Sequence, residues 1–512
     1  MQLGALLSQA GIGGGPYPEL EITGVTHDSR QAAPGSLFVA VKGFHADGHD
    51  HVADAAARGA AAAVVEHEVP GAPIPQIPVS APREALADLS CAFFQSPTQA
   101  LTLVGITGTN GKTTTAYLVE SMLAAAGHVE ALLGTVETRI GGTRLETGDG
   151  ITQRTTGEAP DLQALFAHMV REGASAAVME VSSHALALER VRGCHFDVGV
   201  FTNLTKDHLD FHGTMQEYFA QKKRLFEGLA PGAVVVNVDD TWGRRLADDL
   251  DRPITFGLGK GTREATLVPR DLIQDRDGTR FILRTARGEL PVESSLVGEF
   301  NLYNLLAAAG VGLALGLSVE EIHQGIAAAH HVPGRLERIE AGQPFTVLVD
   351  YAHTPDALER LLSAVRPLAQ SARPQPALRG RVAAARLPQP APGRIITVMG
   401  CGGDRDPSKR APMGKAAATG SDRVFITADN PRSEPVTAIC KQVAAGARAA
   451  KGAPFEVIED REQAIRKALG DAHPGDVVVI AGKGHETEQI IGDDCLPFDD
   501  RDVARRLITE LV

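Results

Sequence analysis

A glycine-rich segment with one lysine and several threonines is the first part of the sequence that could do chemistry. Gly105-Ile-Thr-Gly-Thr-Asn-Gly-Lys-Thr-Thr-Thr115 follows an apolar run and opens a helical stretch. In such a strand–turn–helix the backbone N–H groups point at an anion, and the helix dipole adds to the attraction. We expect Lys112 to reach the terminal phosphates of a nucleotide and Thr113 to hold Mg²⁺. The segment departs from the common pattern, which places a glycine five residues before Gly111: Ile106 occupies that position, and the glycine here is Gly108.

Polar side chains follow two other apolar runs, where metal ligands are expected. Glu180 ends the run 176–179, and the run 198–202 is followed by a polar segment that contains His208 and His212. Because ligands bind outside the carboxyl ends of parallel strands, Glu180 and His208 are candidate ligands. The spacing of the two histidines also fits zinc, but oxygen-rich neighbours and the nucleotide loop favour magnesium.

Three further residues carry weaker signals. Lys222 and Lys223 lie in a helical stretch, 218–226, where lysines are ordinarily solvated. Asn304 lies near the start of another helix, where its amide could contact the edge of a nucleotide base.

The elements that must position these residues alternate between short β-branched runs and longer helical stretches. The runs lie at 101–107, 176–180, 198–203, 233–239, 345–351, 394–400, 423–429 and 476–482. This alternation predicts an α/β protein with parallel sheets. The segment 265–296 differs, because two short runs around a glycine-containing turn predict an antiparallel hairpin.

The length of 512 residues predicts about three domains. A proline-rich segment, 69–82, and Ser96-Pro97 place the first boundary, and Val332-Pro333-Gly334 places the second. The predicted domains are therefore 1–97, 98–334 and 335–512. The segment 366–394, rich in Pro, Ala, Arg and Gln, predicts an exposed loop.

The charge balance excludes some classes of protein. The 50 Lys and Arg against 63 Asp and Glu give a net charge of −13, which argues against a nucleic-acid binder. Apolar runs are short and the first residues lack a basic start, so we expect neither a membrane span nor a secretory signal. Five scattered cysteines predict no disulfide framework and no cysteine zinc site. These features favour the reducing cytoplasm.

Taken in order along the chain, the motifs resemble those of the Mur ligases, the ATP-dependent amide-bond-forming enzymes of peptidoglycan synthesis. The shared motifs lie at 108–114, 180–184, 202–210, 298–304, 333–337 and 350–353. Others, at 28–30, 43–48, 155–157, 402–406, 429–432 and 482–486, resemble the branch that adds meso-diaminopimelate to UDP-MurNAc-dipeptide. The resemblance implies an α/β fold of three domains, with a central P-loop NTPase-like sheet domain between an N-terminal α/β domain and a C-terminal Rossmann-like domain. In order, these are expected to bind the uridine nucleotide, ATP and the amino acid.

The resemblance also implies roles for individual residues. The expected ATP-binding residues are Gly108, Thr109, Asn110, Gly111, Lys112, Thr113, Thr114, Asn304 and Arg335. Mg²⁺ is expected at Thr113, Glu180 and His208, and Lys222 stands where the family carries a carbamylated lysine. The residues expected to contact the uridine-linked dipeptide are Ser29, Phe44, His45, Ala46, Thr155, Thr156, Ser182 and Arg190, whereas Leu188 stands where a polar contact is often found. Those expected to contact diaminopimelate are Arg405, Asp429, Asn430, Pro431, Arg432, Gly482 and Glu486.

The implied reaction transfers the γ-phosphoryl group of ATP to the D-glutamyl γ-carboxylate, and the amine of diaminopimelate then displaces phosphate. The expected catalytic residues are Lys112, Lys222, His208, Glu180 and His353. His353 is expected either to act as a base or to have a structural or ATP-contacting role. A monomer acting on small molecules is expected.

Three alternatives remain open at this point: an L-lysine-adding Mur ligase, a ligase like folylpolyglutamate synthetase, and a P-loop kinase or NTPase without ligation. The folate enzyme would lack the motifs at 28–30 and 429–432. Arg432 favours diaminopimelate over lysine, because a guanidinium pairs with a carboxylate in bidentate geometry.

Overall fold

The computed structural model describes residues 1–14, 17–43, 46–145, 155–229, 232–259, 264–275, 278–330, 332–370 and 392–511. Phe44, His45 and most of the predicted loop 366–394 lie outside these residues. The chain divides into two compact units. Unit 1 comprises Met1–Leu204, Phe211–Leu267 and Ala307–Gly325, and unit 2 comprises Thr205–Asp210, Val268–Leu306 and Ile326–Val512.

The first sheet of unit 1 has four parallel strands in the order β1-β2-β3-β4. Its elements are α1 (Leu3–Gln9), β1 (Gly24–Thr26), β2 (Ser36–Val39), α2 (Val52–Ala57), β3 (Ala62–Val65), β4 (Gln76–Pro78) and α3 (Pro82–Phe93). Every residue of β2 and β3 is buried, which is why these strands are continuous apolar runs in the sequence.

The second sheet of unit 1 has eight strands in the order β12-β11-β10-β5-β9-β6-β7-β8. Its elements are β5 (Thr102–Thr107), α4 (Lys112–Ala125), β6 (Glu130–Leu133), β7 (Thr138–Ile140), β8 (Thr143–Arg144), α5 (Ala159–Arg171), β9 (Ala176–Glu180), α6 (Ser183–Ala187), β10 (Val198–Phe201), α7 (Leu209–His212), α8 (Met215–Lys223), β11 (Ala233–Asn237), α9 (Thr241–Asp248) and β12 (Ile254–Phe256). The strands from β12 to β6 are parallel, so the segments after β5, β9 and β10 start at one edge.

Unit 2 begins with a three-stranded antiparallel sheet: β13 (Arg270–Asp275), β14 (Gly278–Thr285) and β15 (Gly288–Ser294). The predicted hairpin in 265–296 is confirmed as β14 and β15, and β13 pairs with it as an additional strand. Along the chain there follow α10 (Glu299–Ala314) and α11 (Val319–Ala328), of which the residues 307–325 belong to unit 1.

The main sheet of unit 2 has six strands in the order β16-β17-β21-β18-β19-β20, and all are parallel except β16. The remaining elements are β16 (Glu337–Arg338), β17 (Thr346–Asp350), α12 (Pro355–Gln370), β18 (Ile395–Met399), α13 (Arg410–Gly420), β19 (Arg423–Ile426), α14 (Val436–Ala450), β20 (Phe455–Val457), α15 (Arg461–Gly470), β21 (Val477–Ala481), β22 (Glu488–Ile491), β23 (Asp494–Pro497) and α16 (Asp500–Leu511). Helices cover both faces: Met399 of β18 packs in a cluster with α12 to α14, and its neighbour Val398 packs in another with α15 and α16.

These sheets confirm the predicted α/β class, with N-terminal, central and C-terminal parts. The domain boundaries at 97 and 334 stay a prediction. Within the described ranges, every helix is too short or too polar to cross a membrane. All five cysteines are free, and four of them are buried, in agreement with the prediction of no disulfide framework.

A fully buried ion pair lies at the centre of unit 2. Arg461 begins α15 and Asp500 begins α16, and neither side chain is exposed. Arg461 Nε donates to Asp500 Oδ1 at 2.7 Å and Nη2 donates to Oδ2 at 2.6 Å. The same guanidinium donates to the carbonyls of Ala428 and Ala481, each at 3.1 Å. This one side chain therefore joins two helix starts to the ends of two strands.

We predict that Asp500→Asn lowers the free energy of unfolding by about 3 kcal/mol, because a buried guanidinium would lose its counter-charge. Asp502→Asn is the matched control, since Asp502 is exposed on the same helix and pairs with Arg505 on the surface. Urea denaturation of the full chain measures both. Equal stabilities for the two variants would contradict the central role of the pair.

Candidate functional site

The glycine-rich turn between β5 and α4 is held in shape by the end of β10. Thr109 N donates to Asn203 O at 2.9 Å, Asn110 N donates to Asn203 Oδ1 at 3.0 Å, and Thr202 Oγ1 donates to Asn110 O at 2.7 Å. Gly108 has a φ of 149°, and a Cβ there would lie 1.9 Å from Thr202 Oγ1. Only glycine fits this position, which explains why a glycine stands at residue 108.

The start of α4 places a lysine and a threonine directly after this turn. Gly111 precedes the helix with a φ of 88°, and Lys112 is its first residue. Lys112 Nζ lies over the turn, where it donates to Gly108 O at 3.0 Å and to Thr109 O at 2.9 Å. A cation and a helix N-terminus thus meet where the sequence predicts a phosphate site.

The carboxylate at the end of β9 lies beside the same helix start. Glu180 is buried, and its Oε1 accepts from Thr113 Oγ1 at 3.0 Å and from Thr135 N at 2.8 Å. Thr135 Oγ1 lies 3.0 Å from Glu180 Oε2. These hard oxygen donors fit Mg²⁺, the ion that a phosphate-binding loop implies. Thr135 was missed from the sequence, since no motif marks it.

No group of three or more His, Cys, Asp and Glu side chains in the described part of the chain could hold a metal. A Mg²⁺ site with one or two protein ligands is usual where phosphates and water supply the others. The donor set of Thr113 and Glu180 is therefore compatible with magnesium.

Four residues expected to contact the dipeptide lie close to this carboxylate. Thr155 Oγ1 is 3.2 Å from Thr135 Oγ1. Ser182 N donates to Thr156 Oγ1 at 3.2 Å, and Arg190 Nη1 donates to Thr156 O at 3.2 Å. Unit 1 therefore brings these predicted residues together.

Lys222 lies in the last turn of α8 and is only 1% exposed. Its Nζ donates to Gly108 O at 2.9 Å and lies 3.4 Å from Thr107 Oγ1. The ammonium also lies 4.9 Å from the centre of the Tyr218 ring. The composition-based expectation of a solvated helix lysine is wrong, and the amine is buried against the phosphate loop.

Ser29 and Ala46 follow two neighbouring parallel strands, β1 and β2. Ser29 begins a 3₁₀ turn whose cap is Asp28, and hydrogen bonds from Arg30 lower the pKa of Asp28. Ala46 O accepts from Gly43 N at 2.9 Å. Both residues thus belong to turns at the same edge of the first sheet.

Three loops at one edge of the main sheet of unit 2 form a cluster, which we call the loop cluster (402–406, 429–432 and 482–486). Gly403 N donates to Asn430 O at 2.9 Å, and Arg432 Nη1 donates to Gly403 O at 2.8 Å. Gly482 has a φ of 117°, and a Cβ there would lie 2.5 Å from Asp429 Oδ2. The loops follow the parallel strands β18, β19 and β21, so topology alone brings them together.

Charge is concentrated in the loop cluster. Asn430 Nδ2 donates to Glu486 Oε2 at 2.8 Å. Burial and the neighbouring Asp429 raise the pKa of Glu486, and Lys483 and Asn430 oppose that rise. Pro431 is buried, whereas Arg405 is exposed. The predicted residues of this group therefore come together, along with Lys483, which was not among them.

His353 and Arg335 lie around one tyrosine that follows β17. His353 Nδ1 is 2.9 Å from Tyr351 O, an acceptor only, so Nδ1 carries the proton. Burial lowers the pKa of His353, with a further contribution from Lys409, which leaves Nε2 as an acceptor. The Arg335 guanidinium lies 4.7 Å from the centre of the Tyr351 ring. Burial raises the pKa of Tyr351 to about 12.

Asn304 and His208 complete the predicted residues in unit 2. Asn304 is buried in α10, and its Nδ2 donates to Asn301 Oδ1 at 3.1 Å. His208 has a φ of 53°, and its N donates to Asp207 Oδ1 at 2.9 Å. The predicted site residues thus lie partly in unit 1 and partly in unit 2, in several separate sets within each.

Comparison with known proteins gives the family. The family models that match are "Mur ligase family, catalytic domain" at residues 21–94, "Mur ligase middle domain" at 106–312 and "Mur ligase, glutamate ligase domain" at 334–377 and 377–484. The UDP-N-acetylmuramoyl-L-alanyl-D-glutamate–2,6-diaminopimelate ligase of Solibacter usitatus is 45% identical over 517 residues, covering 99% of this chain and 98% of that protein. This chain belongs to the Mur ligase family.

Solved structures of Mur ligases have the same fold. A structure of a UDP-N-acetylmuramoyl-L-alanyl-D-glutamate–2,6-diaminopimelate ligase matches with a TM-score of 0.67 and 30% identity, covering 100% of this chain and 99% of that one. The MurF ligase of Thermotoga maritima in complex with ADP matches with a TM-score of 0.61 and 19% identity, covering 95% and 96%. The family predicted from the motifs is therefore confirmed.

His485 should make stability depend on pH. Burial and the charges of Arg335 and Arg501 lower its pKa to about 3. Between that value and the ordinary pKa of about 6.5, the unfolded chain takes up a proton that the folded chain does not. We predict that the titration of His485 lowers the free energy of unfolding by about 1 kcal/mol per pH unit as pH falls from 6 to 4. His485→Gln should remove this contribution. Urea denaturation of both proteins across this range measures it; parallel stability curves would contradict it.

Proposed function

We propose that this Mur ligase adds meso-diaminopimelate to the D-glutamyl γ-carboxylate of UDP-N-acetylmuramoyl-L-alanyl-D-glutamate at the expense of ATP. The observation that carries the proposal is the loop cluster, in which a guanidinium and two carboxylates converge at 402–406, 429–432 and 482–486. It is supported by the near full-length identity to ligases named for this reaction. We also propose that the enzyme acts as a monomer in the cytoplasm.

The phosphate loop supplies binding and orientation for ATP. Its N–H groups and Lys112 hold the phosphates, where positioning and electrostatics are the main sources of rate in phosphoryl transfer. Thr113 and Glu180 would hold Mg²⁺, with His208 a further predicted ligand. When bound, the ion neutralises phosphate charge and polarises the γ-phosphoryl group. Asn304 and Arg335 are proposed to contact other parts of the nucleotide.

The reaction needs an activated carboxylate, because a carboxylate does not react with an amine at neutral pH. A γ-carboxylate oxygen attacks the γ-phosphorus, and ADP leaves. The amine nitrogen then attacks the acyl carbon, loses its proton, and phosphate leaves. Thr155, Thr156, Ser182 and Arg190 are proposed to hold the dipeptide end beside Glu180, with Ser29 and residues 44–46 contacting the uridine end. His353, neutral with Nε2 as an acceptor, is proposed to orient a reactant or to accept the proton.

The loop cluster offers a partner to each charged group at the far end of diaminopimelate. Arg432 uses Nη1 for the backbone of its own cluster, so Nη2 and Nε can form a fork toward a carboxylate. Arg432 has a φ of 52°. The residue before it, Pro431, restricts the turn that presents the Arg432 side chain. Glu486 is available to the distal ammonium.

A panel of amino acids tests the function. With the uridine-linked dipeptide and ATP, we expect phosphate release with meso-diaminopimelate and little with L-lysine, because lysine leaves the Arg432 guanidinium without its partner. Arg432→Ala should raise KM for diaminopimelate about tenfold or more and leave KM for ATP nearly unchanged. Equal rates with lysine, or no release with diaminopimelate, would contradict the proposal.

We further propose that Lys222 is carbamylated. The amine is buried beside Gly108 O, and a carbamate would replace its positive charge with a negative one and two hard oxygen atoms. Lys222→Ala should nearly abolish ligation with the fold intact, and short carboxylic acids should restore part of it.

Lys223→Ala is the matched control for this prediction, because Lys223 lies next along α8 and pairs with Glu227 and Asp249. With ¹³C-labelled bicarbonate, the unmodified enzyme and Lys223→Ala should show a carbamate carbon signal that Lys222→Ala lacks. Full activity of an enzyme whose Lys222 is unmodified would exclude the carbamate.

A further inference from the structure

Lys483 is a fully buried lysine within the loop cluster, with 0% of its side chain exposed. Its Nζ donates to Asn430 Oδ1 at 3.0 Å, to Glu486 Oε2 at 3.1 Å and to Glu488 O at 2.6 Å. An ammonium has three N–H donors, so each has an acceptor. The side chain is therefore fixed at both ends, by the backbone turn and by its ammonium.

This ammonium sets the orientation of the Asn430 amide. Asn430 Oδ1 accepts from Lys483 Nζ and also from Ile490 N at 3.1 Å. The Nδ2 atom must then face the other way, where it donates to Glu486 Oε2 at 2.8 Å. The amide oxygen and the amide nitrogen of Asn430 have different partners, so the amide group cannot rotate without losing hydrogen bonds.

The same contacts give the two carboxylate oxygens of Glu486 different roles. Oε2 accepts from both Lys483 and Asn430, whereas Oε1 has no donor among the residues that the structure describes and is left for another donor. Burial and the charge of Asp429 raise the pKa of Glu486, and Lys483 is among the groups that oppose the rise. Lys483 thus favours an ionised Glu486 as well as one fixed orientation.

We propose that Lys483 is a positioning residue that presents Glu486 Oε1 to the distal ammonium of the incoming diamino acid. The inference rests on the proposed function. It makes Lys483 a determinant of specificity for the amine at the far end of the substrate, without contact between Lys483 and that substrate.

The test compares diaminopimelate with 2-aminopimelate, which has both carboxylates and lacks the distal amine. In Lys483→Met, whose side chain has a similar length and no charge, KM for diaminopimelate should rise about tenfold or more. The preference for diaminopimelate over 2-aminopimelate should fall by a similar factor, and KM for ATP should stay within about twofold. Lys467→Met is the matched control, because Lys467 is half-exposed on α15 and pairs with Asp471 on the surface.

Each outcome decides one point. Failure of the unmodified enzyme to use diaminopimelate would contradict the proposed function itself. A folded Lys483→Met enzyme with unchanged preference, or with equal increases in KM for ATP and diaminopimelate, would overturn the role of Lys483 alone. Lys483→Gln, which retains a hydrogen-bonding group, replaces the Met variant if that does not fold. Loss of the fold in both would assign Lys483 to stability and overturn the proposal.

Discussion

The guanidinium of Arg461 holds together the part of unit 2 on which the loop cluster depends. Burying a charge is costly, and here the cost is offset by Asp500 and by two backbone carbonyls. Those carbonyls belong to Ala428 and Ala481, the residues directly before Asp429 and Gly482. Two of the three loops are therefore fixed where they leave the sheet. Because these two loops are fixed, the carboxylates of Asp429 and Glu486 can lie close together although they repel each other.

Unit 1 fixes its phosphate loop in another way, with neutral groups as well as charged ones. Thr202 and Asn203 bind the backbone of the loop through neutral hydrogen bonds. The ammonium groups of Lys112 and Lys222 both donate to Gly108 O, so two positive charges lie beside this one carbonyl of the loop. The shape of the loop therefore depends both on these neutral groups and on the two lysines.

The sequence predicts the buried strands well, because parallel strands covered on both faces are continuous apolar runs. The strand at Ala176–Glu180 has the predicted ends, whereas β10 stops at Phe201 because Thr202 and Asn203 turn toward the phosphate loop. The glycine loop and the three loops of unit 2 were found because their motifs follow strands. Thr135 could not be found, since its role depends on a contact with Glu180 distant in sequence. Lys483 was passed over because lysine is ordinarily solvated, and only the fold shows its burial.

The position of β21 has a consequence for how the chain folds. This strand is the last of the six to be synthesised, yet it pairs with β17 on one side and β18 on the other. Until it arrives, those two earlier strands have no common neighbour and each exposes an unpaired edge. Pairing of this kind between distant segments makes folding slow and leaves edges open to association with other chains. The sheet that carries the loop cluster therefore forms late, and folding of this part of the enzyme is the step most exposed to aggregation.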